Sequence, residues 1–300
     1  MKVLIIGNGF DLDLGLKTKY SDFAKSEEWT DLFQNNRCDN NLADYLFKHS
    51  KTEEWFDIEK CIRDYVQGKE SKRDYDNNIV FPDKWFLDDL ERKFDKYLSS
   101  ELIFRTPLNK NSLAAQLIAE NKANSCFDSI YSFNFVEYNI LNEIANGNVE
   151  SLDNVQYVHG FGSNLIFGID EEGCSGNHYS FTKKVMHPNY PSTNIIPDLE
   201  KANEVVIFGH SINSIDWKYF QMFFENSCKY SNGLHKHITI ITKDDDSKKR
   251  LKENLNNFGI SITLLSSISH LEFIETVSYY KGEYETRDKV GELLTRIRIQ

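Results

Sequence analysis

Short apolar runs, each closed by a polar or glycine-containing loop, alternate along this chain with stretches of helical periodicity. Val3–Ile6 is an unbroken run of β-branched and aliphatic residues, the pattern of a strand buried on both faces. Comparable runs predict strands over Phe127–Phe133, Val155–Val158, Leu165–Gly168, Glu204–Phe208, Ile238–Thr242 and Ile260–Leu265. Trp55, Ile58, Ile62, Tyr65 and Val66 mark a helix that Gly68 is predicted to end, with 68–78 as an exposed loop. Leu87, Leu90, Phe94, Tyr97 and Leu98 mark the next helix, and Ser112 is placed to cap another over 112–120. Helices are also predicted over Glu137–Ala145 (stopped by Gly147), Ile215–Cys228, Asp244–Asn256 and Glu283–Arg298. The three aspartates at 244–246 complement the dipole of the helix they open.

This alternation predicts an α/β fold, Rossmann-like, with a mainly parallel sheet and helices on both faces. Residues 1–19 and 121–282 form the predicted core, 20–120 a helical insertion after the first strand, and 283–300 a C-terminal helix. Four polar loops then fall at strand carboxyl ends: Gly7–Asp11, Ser132–Asn134, His159-Gly160 and Gly209–Ser211. Ligands of open α/β sheets lie beyond those ends. Gly7 and Gly9 allow a sharp turn and a close approach to a ligand, so Gly7-Asn8-Gly9-Phe10-Asp11 proposes a nucleotide-type pocket. The loop lacks the third glycine of the dinucleotide spacing and the Gly-Lys-Ser/Thr of a P-loop. A bare strand-to-helix turn accounts for the same glycines.

Composition narrows the field. Three hundred residues suit one large α/β domain or a core with an inserted subdomain. A formal net charge of −11 argues against a broad nucleic-acid surface, which needs a basic footprint. No apolar run approaches the roughly 18 residues of a membrane span, and the N-terminus is unlike a signal peptide. Cys38, Cys61, Cys126, Cys174 and Cys228 are scattered without a CxxC pair, as expected of reduced thiols in a cytoplasmic protein. Cys174, His178 and His187 match no zinc-finger spacing, and no metal is expected.

Several side chains carry chemistry. Glu59 falls on the apolar face of its helix and needs either a partner, such as a core arginine, or a role in a site. Asn134 can donate and accept, and His159 can take a proton as a base. Each has a plainer reading: Asn134 as a helix cap, His159 bonded to a carbonyl in a turn, Ser211 or Asp216 as a cap. His210-Ser211 with an acid has the parts of a hydrolase triad, but there is no GxSxG elbow.

Ile5-Ile-Gly-Asn-Gly-Phe-Asp-Leu12, followed by Gly15-Leu-Lys-Thr-Lys-Tyr-Ser-Asp-Phe23, resembles the opening of the AbiH family of bacterial abortive-infection proteins. Trp55-Phe-Asp-Ile-Glu59, Ser132-Phe-Asn-Phe135, Val158-His-Gly160, Ile166-Phe-Gly-Ile-Asp170 and Phe208-Gly-His-Ser211 with Asp216 follow in the order that family shows. The resemblance implies phage defence. It also implies a remote likeness to the sirtuin-like fold, which binds NAD. On that likeness Gly7 and Gly9 hold the nucleotide, Asn134 sits by the nicotinamide ribose, His159 is the base, and Gly209 and Ser211 line the adenosine side. The four-cysteine zinc module of sirtuin deacetylases has no counterpart here, which points to NAD hydrolysis rather than deacylation. The expected partners are a small-molecule nucleotide and a phage-derived trigger or a second copy of the chain. Two rivals stand beside this: a non-catalytic nucleotide sensor that switches a partner, and a metal-dependent nuclease or RNA-targeting toxin built on Asp11, Asp57 and Glu59.

Overall fold

The structure, a computed structural model, describes all residues except 36–40, 54–55, 73–76, 102–106, 146, 170–176, 230–235 and 300. Its first half runs β1 (Lys2–Ile6), α1 (Asn8–Asp13), α2 (Tyr20–Phe23), α3 (Glu27–Asn35), α4 (Asn41–Thr52), α5 (Ile58–Lys72), α6 (Asn77–Ser100), α7 (Leu113–Asn124), β2 (Ser129–Ser132) and α8 (Leu141–Ile144). The second half runs β3 (Val155–Tyr157), α9 (Ile195–Lys201), β4 (Glu204–Phe208), α10 (Trp217–Ser227), β5 (His237–Thr242), α11 (Asp245–Asn257), α12 (Ile262–Ile268), β6 (His270–Glu275), α13 (Thr276–Lys281) and α14 (Tyr284–Arg298). Two compact units result. The first holds Met1–Leu16, Pro107–Val158 and Ser192–Gln300; the second holds Lys17–Thr106 and His159–Pro191.

The first unit is built on a six-stranded sheet in the order β3-β2-β1-β4-β5-β6, every pairing parallel. This is the strand order of dinucleotide-binding folds, and its direction of winding reverses between β1 and β4. The central strands are apolar on both sides because both faces are covered. Val3, Ile5, Val205, Ile207, Ile238 and Ile240 share one core cluster with Leu199 of α9, Phe220 of α10, Leu251 of α11 and Leu265 of α12. At the amino ends of the strands, Arg296 of α14 bonds Glu204 (2.8 Å) and Thr239 (2.8 Å), which ties the last helix to the sheet.

Helix ends follow local chemistry. The Ser112 side chain accepts from the Ala115 amide (3.0 Å), so the predicted cap is present, and Asp244 accepts from that of Ser247 (2.9 Å) and caps α11.

Four local expectations differ from the structure. Gly68 lies inside α5, because buried Ile62, Tyr65 and Val66 outweigh the roughly 1 kcal/mol a mid-helix glycine costs. Of the predicted loop at 68–78, residues 68–72 and 77–78 are helical and 73–76 lie outside the described residues. Residues 260–265 form no strand: Ser261 accepts from the Leu264 amide (3.3 Å) and opens α12, which buries Leu265 and Ile268. The last strand is His270–Glu275, whose alternating burial marks a sheet edge. Leu165–Gly168 is buried irregular chain, since a short apolar run reports burial rather than conformation. The helix predicted over 137–145 is a 3₁₀ turn, Tyr138–Ile140, followed by the single turn of α8.

The second unit is helical. Phe23, Trp29, Phe33, Phe86 and Phe94 are buried in it, with Phe23 edge-on to Trp29 (5.2 Å) and Phe94 (5.0 Å). Asp83 is buried there and accepts from the Leu42 amide (3.0 Å), the Tyr65 hydroxyl (2.7 Å) and the Tyr179 hydroxyl (3.1 Å). Among the described residues, no helix is long and apolar enough to cross a membrane.

Candidate functional site

Parallel register sets Ile6 beside Phe208, so the loops that follow β1 and β4 run side by side. The Gly7 amide donates to the Phe208 carbonyl (2.9 Å), and the Gly9 amide to that of Gly209 (3.0 Å). Gly209 has φ +69°, and a Cβ there would lie 2.4 Å from the Gly9 Cα. A Cβ on Gly7 would lie 2.5 Å from the His210 Cα. These glycines therefore let two loops touch backbone to backbone at the switch point of the sheet. Ile212, just beyond, is fully buried at φ +47°, a conformation that is strained for a β-branched side chain. Asn8 is exposed on this loop. Phe10 is buried edge-on to Tyr138 (5.8 Å) and Phe208 (5.1 Å).

Asp11, fully buried in α1, is joined to Asn134 through a tyrosine. The Tyr138 hydroxyl donates to Asp11 Oδ1 (2.5 Å) and accepts from Asn134 Nδ2 (2.9 Å). Burial, and then the Asp11 charge, push the Tyr138 phenol well above its ordinary pKa, so it stays protonated. Ser132 Oγ accepts from the Asn134 amide (3.0 Å) and fixes the turn after β2. Tyr157 of β3 stacks on Tyr138 (6.2 Å, 11°), and its hydroxyl accepts from the Tyr138 amide (2.9 Å). The spacing Asn134-x3-Tyr138 was the available signal for this chain of bonds. An aromatic residue amid apolar neighbours reads first as core.

His210 makes a second polar cluster. Its Nδ1 accepts from the Ile212 amide (2.9 Å), which assigns the proton of the neutral ring to Nε2, 3.3 Å from Asp216 Oδ2. Phe133 meets the ring edge-on at 4.3 Å. The Ser211 side chain is exposed, and its carbonyl accepts from Asn254 (3.0 Å).

Glu59 and His159 belong to the second unit. Glu59 pairs with the fully buried Lys184 at 2.8 Å, a lysine rather than the arginine considered from sequence. Asp57 accepts from the Lys60 amide (3.0 Å) and caps α5. His159 is buried, and its carbonyl accepts from the Ile166 amide (3.0 Å). Gly160 has φ +73°, and a Cβ there would lie 2.0 Å from the Asn164 carbonyl oxygen, so the turn itself requires glycine after the histidine. Cys174 lies outside the described residues, whereas His187 sits 3.8 Å from Glu91.

Residues 3–232 match the family described as bacteriophage abortive infection AbiH. The chain belongs to the AbiH family. Its role is accordingly in abortive infection, the response to bacteriophage that gives the family its description. No curated protein and no solved structure matches the chain. In this AbiH protein the Gly7–Asp11 loop lies at the sheet's switch point, and Asp11 is the residue bonded to Tyr138.

Proposed function

We propose that this AbiH protein binds a dinucleotide of the NAD class at the carboxyl edge of its sheet and hydrolyses the nicotinamide–ribose bond. The observation that carries the reading is the strand order, whose reversal lies where the Gly7–Asp11 and Gly209–Ser211 loops meet. Cleavage of that bond passes through an oxocarbenium-like state and calls for positioning, oriented hydroxyls and a base. Asn134, held by Tyr138, has the donor and acceptor groups to orient a ribose hydroxyl or a water. His159 takes the part of base on the parallel with the His-Gly pair of sirtuin-like folds. Gly7, Asn8, Gly9 and Ser211 contribute backbone and small polar groups to nucleotide binding. The test is free nicotinamide released from NAD by the purified protein and by Asn134→Ala and His159→Ala. Turnover lost in both folded variants supports the mechanism; full turnover in both overturns it.

One observation favours a second reading, a nucleotide sensor without turnover. The Gly9 amide is already bonded to Gly209, and Asp11 and Asn134 are both engaged by Tyr138, an arrangement suited to a rigid binding surface. Thermal stabilisation by NAD without nicotinamide release would select it.

A further inference from the structure

The second unit holds a set of side chains that the proposed nucleotide chemistry does not use. The end of α4 carries His49, with Glu53 four residues on, and the first turn of α5 carries Cys61. A ring nitrogen of His49, a Glu53 carboxylate oxygen and Cys61 Sγ all lie within 4.8 Å of one another. They are the one such group of three His, Cys, Asp or Glu ligands among the described residues. Cys61 is 1% exposed, while the His49 and Glu53 side chains are 27% and 28% exposed, which leaves one side of the cluster open to solvent.

We propose that His49, Glu53 and Cys61 form a binding site for a zinc-class divalent cation that clasps the end of α4 to the start of α5. The donor set is the first argument. One thiolate, one imidazole and one carboxylate suit zinc and its borderline neighbours, whereas magnesium and calcium take oxygen ligands. Three protein ligands with an open fourth position leave room for a water.

Charge is the second argument. A thiolate and a carboxylate balance a divalent cation in a half-buried place. Lys60, the residue before Cys61, is engaged by Asp64 at 2.9 Å.

Geometry is the third. Metal–ligand bonds of about 2.0–2.3 Å at tetrahedral angles set the ligand atoms about 3.3–3.6 Å apart. His49 and Glu53 now touch at 2.7 Å, so the cation replaces that hydrogen bond by opening it about 0.6 Å. No separation in the cluster exceeds 4.8 Å, so none has to close by more than about 1.5 Å, within reach of side-chain rotation on two partly exposed partners. The Tyr45 ring lies against the imidazole at 4.2 Å and orients it. The competing account is an i,i+4 ion pair beside an inert buried thiol. No known metal spacing marks these residues in the sequence, because the ligands come from two helices.

The experiment is cobalt substitution of the full-length protein, with zinc stoichiometry measured after desalting. One zinc per chain and a sulfur-to-cobalt charge-transfer band are expected. Cys61→Ser should abolish both, while Cys126→Ser and Cys228→Ser retain them. His49→Gln and Glu53→Gln, at partly exposed positions, should each weaken zinc binding at least tenfold with the helical circular dichroism unchanged. These two variants decide the matter should Cys61→Ser fail to fold. A folded parent protein without the band at saturating cobalt overturns the proposal. So does a band that survives Cys61→Ser, or zinc affinity that is unmoved in both His49→Gln and Glu53→Gln.

Discussion

Tyr138→Phe isolates the contact that joins two of the sequence-predicted site residues. The substitution keeps the ring, with its stack on Tyr157 and its edge contact to Phe10, and removes only the hydroxyl. Asp11 then loses a donor at 2.5 Å, and the Asn134 amide loses its acceptor at 2.9 Å. Both residues are buried, so the shorter loss is a bond to a charged group worth about 1.5–3 kcal/mol, and the other is a neutral bond worth about 1 kcal/mol. A loss of about 3 kcal/mol is expected, with no compensating cavity to subtract. Urea unfolding should show it as a lowered midpoint at unchanged slope. A double-mutant cycle with Asp11→Asn should return a coupling of about 1.5–3 kcal/mol. A loss below about 1 kcal/mol, or a coupling near zero, refutes the reasoning that this hydroxyl holds both partners.

The other predictions address backbone contact, pH and a buried charge. Gly209→Ala meets the Gly9 Cα at 2.4 Å in the left-handed region, and should cost about 3 kcal/mol by urea unfolding. Gly147→Ala, at φ +76° with open space around it, should cost about 1 kcal/mol; equal losses would mean that the loops do not touch. Burial pushes the Glu91 carboxyl up to about 7, from 4.5 when unperturbed. The folded chain therefore holds a proton that the unfolded chain releases first. Stability should fall by up to about 3 kcal/mol as pH rises from 4.5 to 7, and a fall that persists undiminished in Glu91→Gln, followed by urea midpoints at pH 5 and 8, rejects the assignment. Arg296→Met leaves Glu204 buried without its ion-pair partner and should cost about 3–5 kcal/mol, with part recovered in the double variant with Glu204→Gln.

Much of the frame was legible in the chain before folding. Strands β1, β4 and β5 read correctly because a strand buried on both faces is a largely apolar, β-branched run without alternation. The Ser112 cap read correctly because capping is decided within four residues. The Ile5–Leu12 stretch, with the shorter motifs that follow it in order, led to the family that residues 3–232 match. Where periodicity had to separate a short helix from a short strand, at 260–268, it reported apolar content and left the conformation open.

Partners were decided only in three dimensions. The strand order joins β1 to β4 across about two hundred residues of chain and brings Gly9 against Gly209. Asp11 finds Tyr138 at a separation of 127 residues, and Glu59 finds Lys184 in the same way. Hydrophobic pattern states which residues leave water. It carries no information on which of the many buried groups will face one another, because that depends on register and on how helices cross. The sequence alone determined an α/β protein of the AbiH family with a glycine loop after its first strand. Tertiary structure determined that this loop lies at the sheet's switch point, that a tyrosine joins Asp11 to Asn134, and that three ligand-type side chains meet between α4 and α5.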